Sequence, residues 1–173
     1  MKAMGTFWAT VMVVGLMVSS AAAQQGMMWH GSGGWGPMGE YCRMFSPHDL
    51  ETMKGEIVTI EKGIPRMGMG HGVRMVLKTD KGEIPVHLGP SWYIENQDVK
   101  LEAGDQVEVT GARVKVQAKG EMHHGQGMMG VRPWMMDDQE FLMASEVKKG
   151  DQVLVLRDKD GMPRWGGWRS RGK

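Results

Sequence analysis

Two short runs in the sequence carry side chains suited to ligand chemistry. One is Met67-Gly68-Met69-Gly70-His71; the other is Met122-His123-His124, followed by Met128-Met129. Thioethers and imidazoles are soft and borderline donors that suit Cu(I) or Ag(I), whereas Mg²⁺ or Ca²⁺ would demand carboxylate oxygens. A thioether has no proton to lose, so such a site would hold metal over a wide pH range and give up only its imidazoles in acid. His87 is a further candidate, either as a ligand or proton carrier or as a structural histidine bonded to a neighbour. The chain holds 19 methionines beside 26 glycines, and methionine is also a flexible apolar filler and an adaptable contact surface. Ligation and packing therefore both stay open for the two runs, although the glycines around them suit exposed loops better than a core. Met135-Met136, beside Trp134, reads as packing. Asp137-Asp138 reads as a solvated turn.

Other chemistries find little support. No Gly-x-Ser-x-Gly, His-Glu-x-x-His or phosphate-cradling glycine loop occurs, so the reading is a binding module and not an enzyme. With 21 basic against 20 acidic residues there is no cationic excess to neutralise phosphates, which argues against nucleic acid as a partner. The single cysteine, Cys42, cannot form an internal disulfide, and the absence of Cys-x-x-Cys-His argues against covalent haem.

The first residues point to a compartment. Lys2 supplies a positive start, Phe7 to Val18 is almost wholly apolar, and Ser19-Ser20-Ala21-Ala22-Ala23 offers the small residues that a signal peptidase reads. The apolar run falls short of the roughly 20 residues that span a bilayer. Residues 1–23 are therefore expected to be a signal peptide, placing the mature protein in the periplasm or outside the cell with no later transmembrane segment. Residues 24–49, rich in Gly, Met and Trp and lacking periodicity, are expected to be a mobile arm.

The elements that must position the two runs are strands. Gly55 to Glu61 is β-rich; Val73, Met75 and Leu77 alternate with polar or outward residues; Ile84, Val86 and Leu88 do the same. A two-residue loop at Lys81-Gly82 would pair Leu77 with Val86 and Met75 with Leu88, placing Arg74 and His87 on the outer face. Pro85 implies an edge or a bulge. Gln106 to Thr110 forms a fourth strand whose phase changes at Gly111, as a bulge would cause. Phe141 to Val147 is a fifth strand, and Val153 to Leu156 opens a hairpin closed at Asp160-Gly161. Short strands with regular turns predict an all-β fold: a small OB-type five-stranded barrel with an extra C-terminal hairpin, spanning 50–168. The domain would carry a Met/His-rich insertion at 119–139 and end in a basic tail, 169–173, and the stretch from Trp165 onward is expected to fray. In such a barrel the two Met/His loops would flank one cleft floored by His87.

Three motifs stand out between Gly55 and Trp168: Val86-His87-Leu88-Gly89-Pro90-Ser91-Trp92-Tyr93, Gly104-Asp105-Gln106-Val107-Glu108-Val109-Thr110-Gly111 and Leu156-Arg157-Asp158 through Trp165. Through them this stretch resembles a family of exported bacterial domains, the one shared by the magnetosome proteins MamS and MamX. The resemblance implies an exported OB-like domain linked with metal, chiefly iron, biochemistry. In architecture and residue type the chain is also similar to periplasmic OB-barrel carriers of copper and silver. The leading expectation is soft-metal handling; the alternative is a metal-free module that docks onto another envelope protein.

One expectation is testable on the mature chain: it should begin at Gln24 or close by, by N-terminal sequencing. A stable product starting at Met1 would refute the signal peptide.

Overall fold

A computed structural model describes residues 33–116 and 133–169. The expected signal peptide and the run Met122 to Met129 lie outside the described residues. The described chain is predominantly β, with strands β1 (Leu50–Gly63), β2 (Gly72–Thr79), β3 (Gly82–Pro90), β4 (Gln106–Lys115), β5 (Glu140–Lys149) and β6 (Gln152–Val155). Two single-turn helices, α1 (Glu40–Arg43) and α2 (Ser91–Ile94), and 3₁₀ turns at Trp134–Met136 and Arg164–Arg169 complete it. No helix among the described residues is long and apolar enough to cross a membrane.

The sheet order is β3-β2-β1-β4-β5-β6, all neighbours antiparallel, and β3 also pairs in parallel with β5 through Val86↔Leu142 and His87↔Met143. β1 is longer than the sequence suggests because it serves two partners. Its first half, Leu50 to Glu56, pairs with β4, and its second half, Glu56 to Gly63, pairs with β2. The alternating apolar residues Met75, Leu77, Val86, Val107, Val109 and Leu142 fill one core.

The β2–β3 register differs from expectation by one pleat. Leu77 pairs with Ile84 and Met75 with Val86, and Asp80-Lys81 forms the loop in place of Lys81-Gly82. Gly82, at φ 125°, supplies the turn with a backbone angle that L side chains rarely adopt, and the Thr79 hydroxyl donates to the Gly82 carbonyl at 2.8 Å. A shift of two residues preserves every face, so the core set survives the error. The phase change at Gly111 is a bulge: Thr110 pairs with Glu146, Gly111 with Ala144, and Ser145 is the extra residue. A Cβ at Gly111 would lie 2.5 Å from the Met143 carbonyl oxygen, so only glycine lets the strands approach there.

Two expectations about the chain ends do not hold. Residues 33–49, expected as part of a mobile arm, are packed: Trp35, Tyr41, Cys42 and Phe45 are all buried in the core cluster. Trp165, expected at the start of a frayed tail, is 2% exposed, and its indole N–H donates to the Trp35 carbonyl at 2.9 Å. Aromatic rings explain both outcomes, because they bury large areas without needing any periodic pattern. Between the two ends lies Arg157, 3% exposed, with Phe45 4.7 Å from its guanidinium on one contact and Trp165 5.2 Å on another. Its Nη1 donates to the Gly161 carbonyl and its Nη2 to the Met143 sulfur, each at 3.2 Å. The C-terminal hairpin also differs: β6 pairs with β5 across the Gly150-Asp151 turn, while Asp160-Gly161 sits in a loop closed by the single bridge Arg157↔Pro163.

If the N-terminal segment is part of the core, Trp35→Ala should lower unfolding stability by about 3–5 kcal/mol, as truncation of a buried Trp does. Urea denaturation checks this; a change below about 1 kcal/mol would return residues 33–49 to the status of an arm.

Candidate metal and binding site

The loop between β1 and β2, residues 64–71, is held from two sides. On one side the Gly70 N–H donates to the Gly33 carbonyl at 2.7 Å, and the Trp35 indole N–H donates to the Gly70 carbonyl at 3.0 Å. Met69 packs so closely on Gly34 that a Cβ there would lie 2.6 Å from the Met69 Cγ. Glu40 and Arg66 form an ion pair at 2.5 Å. On the other side the Trp134 and Met135 N–H groups donate to the carbonyls of Ile64 and Pro65, both at 3.1 Å. Residues 133–138 are the returning end of the segment that carries Met122, His123, His124, Met128 and Met129.

Within this frame the predicted residues fare differently. Met67 is 56% exposed. Met69 is half-buried, and His71 is exposed at the foot of β2 while its carbonyl accepts the Ser91 N–H at 3.0 Å. These three stay on one short loop, with their side chains available in different degrees. Met122, His123, His124, Met128 and Met129 lie outside the described residues. Among the described residues no three His, Cys, Asp or Glu side chains converge as a metal-holding group. Cys42 is buried, and its thiol, pushed up in pKa by burial, donates to the Trp35 carbonyl at 3.6 Å.

His87 is the largest departure from expectation. Register places it opposite Arg74, on the face expected to be an open cleft floor. That face is covered, and His87 is 1% exposed. Phe141 stacks on the imidazole at 3.9 Å between centroids, and Trp134 lies at 5.5 Å. Nδ1 meets the Tyr41 hydroxyl at 2.8 Å and Nε2 meets the Asp138 carboxylate at 3.2 Å. A carboxylate can only accept, so Nε2 carries the proton and Nδ1 accepts from the Tyr41 O–H. Both nitrogens are thus occupied, which makes His87 a structural post and not a ligand in this arrangement.

Asp138, expected in a solvated turn, is the hinge of that network. It also binds the Arg74 guanidinium, which reaches on to Glu61 at 2.7 Å and lies 5.4 Å from the Trp134 ring. A chain of polar contacts therefore runs from Tyr41 through His87, Asp138 and Arg74 to the partly exposed Glu61. Burial alone would raise the Asp138 pKa, but hydrogen bonds from His87 and Arg74 outweigh it and hold the carboxyl below its ordinary value. Burial is the largest influence on His87 and lowers its pKa despite the nearby carboxylate. Sequence reasoning missed Tyr41 and Asp138 because nothing in their local pattern marks a buried polar partner; Arg74 was legible only as a residue on the same outer face as His87.

A separate cleft of about 750 Å³ opens between the start of β1, the β2–β3 turn, Arg113 and Glu140. None of the predicted ligands lines it.

Part of the chain matches a known sequence family. Residues 49–126 match the MamS/MamX magnetosome protein family. No curated protein matches the chain. The MamS/MamX-like segment takes in β1 to β4, α2 and the 64–71 loop. Tyr41 and Asp138, the two partners of His87, fall on either side of it, so the buried network stitches the matched segment to the chain before and after.

The network has a pH signature. The folded state keeps His87 neutral below the ordinary histidine pKa, so the unfolded chain takes up protons first as pH falls. Stability should be full above about pH 7 and should decline as pH drops below about 6.5, with a further decline starting near pH 4, where the unfolded chain's Asp138 takes up a proton while the folded carboxyl, held lower, stays ionised. Denaturation at a series of pH values checks this, and His87→Phe should flatten the slope between pH 7 and 5. An unchanged slope in that variant would mean that His87 is not the titrating post.

Proposed function

We propose that the protein is an exported OB-type β-barrel domain that binds a soft transition metal, Cu(I) or Ag(I), for handling or delivery. The ligands would come from Met67, Met69 and His71 on one loop and from Met122, His123, His124, Met128 and Met129 on the other. The observation that carries the proposal is the pair of hydrogen bonds from Trp134 and Met135 to Ile64 and Pro65, because they bring the root of the second segment against the first loop. The barrel part of the reading is supported by the ring of strand pairings β1–β2–β3–β5–β4 and back to β1. A protein in which His87 is already consumed would depend on thioethers and the remaining imidazoles, a donor set that favours Cu(I) and Ag(I) over iron. The family's link to magnetosomes makes Fe(II) the natural competing cargo to include.

The test replaces Met67, Met69 and His71 by Ala, then Met122, His123 and His124 by Ala, then combines both sets. Cu(I) affinity is measured against a competing chelator, with Fe(II) in parallel and folding checked by circular dichroism. A shared site should lose most of its affinity, about a hundredfold or more, with either set, and the combination should be little worse than the poorer single set. Strictly additive losses would mean two independent loop sites. No Cu(I) or Ag(I) binding by the parent would refute the metal reading and favour a module that docks onto an envelope protein.

A further inference from the structure

Five aromatic rings run in unbroken contact from the surface to the buried polar network. Trp92, 37% exposed, meets Tyr93 at 6.1 Å between ring centroids, and Tyr93 meets Trp165 at 5.5 Å. Trp165 meets Trp35 at 6.2 Å, and Trp35 meets Tyr41 at 5.0 Å. Aromatic pairs at such spacings pack well for their own sake, so contact alone assigns them nothing beyond packing. The last ring differs in what its polar atom touches. The indole N–H groups of Trp35 and Trp165 donate to the carbonyls of Gly70 and Trp35, which are not bases and cannot take the proton away. The Tyr41 hydroxyl donates instead to Nδ1 of His87 at 2.8 Å, and the opposite nitrogen of that imidazole is already held by Asp138 at 3.2 Å. A base within hydrogen-bond reach can receive a proton with no other rearrangement. Burial keeps His87 neutral, and so ready to accept, and it pushes the Tyr41 pKa up, so the phenol holds its proton until the ring itself loses an electron.

We propose that these rings form a one-electron relay in which Tyr41 is the terminal donor, His87 takes the proton of Tyr41, and a strong outer-sphere one-electron oxidant is received at Trp92. The electron leaves Tyr41 through Trp35, Trp165, Tyr93 and Trp92 to the oxidant, which is reduced by one electron. The phenolic proton crosses to Nδ1 of His87. What remains is a neutral tyrosyl radical beside an imidazolium whose Nε2–H stays on Asp138. Electron tunnelling falls steeply with distance, so short hops between touching rings outrun one long step from the surface. The hole comes to rest at Tyr41 because loss of the proton makes its oxidation easier there than at an indole that must stay a cation. The neighbouring Cys42 thiol faces the Trp35 carbonyl and the Arg157 cation, neither of them a base, and does not compete. None of the five rings is among the thioether and imidazole ligands proposed above, so the relay stands or falls apart from the metal site.

The full chain receives a ruthenium polypyridyl photo-oxidant on Asn96→Cys, an exposed position whose native amide donates to the Trp92 carbonyl at 2.6 Å; Cys42 is buried and stays unlabelled. Flash–quench excitation generates Ru(III) beside Trp92, and transient absorption with electron paramagnetic resonance identifies the radical. A tyrosyl radical should follow a short-lived tryptophanyl signal, and its formation should be slower in D₂O by about twofold or more, because the proton moves with the electron. The chain has two tyrosines, so Tyr41→Phe should leave only tryptophanyl radical, while Tyr93→Phe should still end in a tyrosyl radical, formed more slowly. Trp35→Phe should slow its formation by about tenfold or more, with folding of each variant checked by circular dichroism. Tryptophanyl radical alone in the labelled parent, or a tyrosyl signal that survives Tyr41→Phe, would overturn the relay. A rate equal in H₂O and D₂O would remove His87 from it, and that comparison needs no variant of the network to fold.

Discussion

A buried imidazole must have both nitrogens answered, and that demand organises this protein. Leaving one of them unpaired in the core would cost about 1–3 kcal/mol, so His87 on β3 draws in a donor and an acceptor from elsewhere. The donor is Tyr41, in a short helix before the sheet; the acceptor is Asp138, in the segment returning to β5. Asp138 in turn holds Arg74, and Trp134 and Phe141 close over the ring and keep the site dry. Removing water raises the value of each contact and the penalty for losing any one of them.

The same residues explain why the sheet is covered on both faces near the β3–β5 pairing. Leu142 and Ala144 are buried, and so are Phe141, Met143 and Ser145, which alternate with them. One set meets the core between the strands. The other needs a second cover, and the chain ends supply one: Trp35 and Trp165 meet edge to face at 6.2 Å, with Arg157 against Trp165 and Phe45. A buried guanidinium with no carboxylate partner among the described residues is costly, and the aromatic faces, a carbonyl and a thioether soften that cost.

These two devices meet at the 64–71 loop. The Trp35 side holds Gly70, and the Asp138 side holds Ile64 and Pro65 through the 3₁₀ turn at Trp134–Met136. A loop rich in glycine would otherwise sample many conformations. Clamped at both ends, it offers its thioethers from a frame whose ordering entropy is already spent in folding, which is the condition a preorganised site requires. The MamS/MamX-like segment contains this loop but not its clamps.

The sequence by itself determined the strands and their faces. Period-two alternation placed Met75, Leu77 and Val86 inward, and even a register shift of one pleat between β2 and β3 left each of them on its side, because shifting by two residues keeps the parity of the strand. It also determined that Gly111 would break the phase and that Met67, Met69 and His71 would share a loop. Tertiary structure alone decided what covers the outer face. Parity put His87 on the same face as Arg74 but is silent on whether water or protein lies above, and the covering residues, Tyr41 and Asp138, stand 46 and 51 positions away in the chain. Trp35 and Trp165 were hidden for the same reason. Their positions follow from long-range contacts between irregular segments, which leave no periodic trace that a sequence could show.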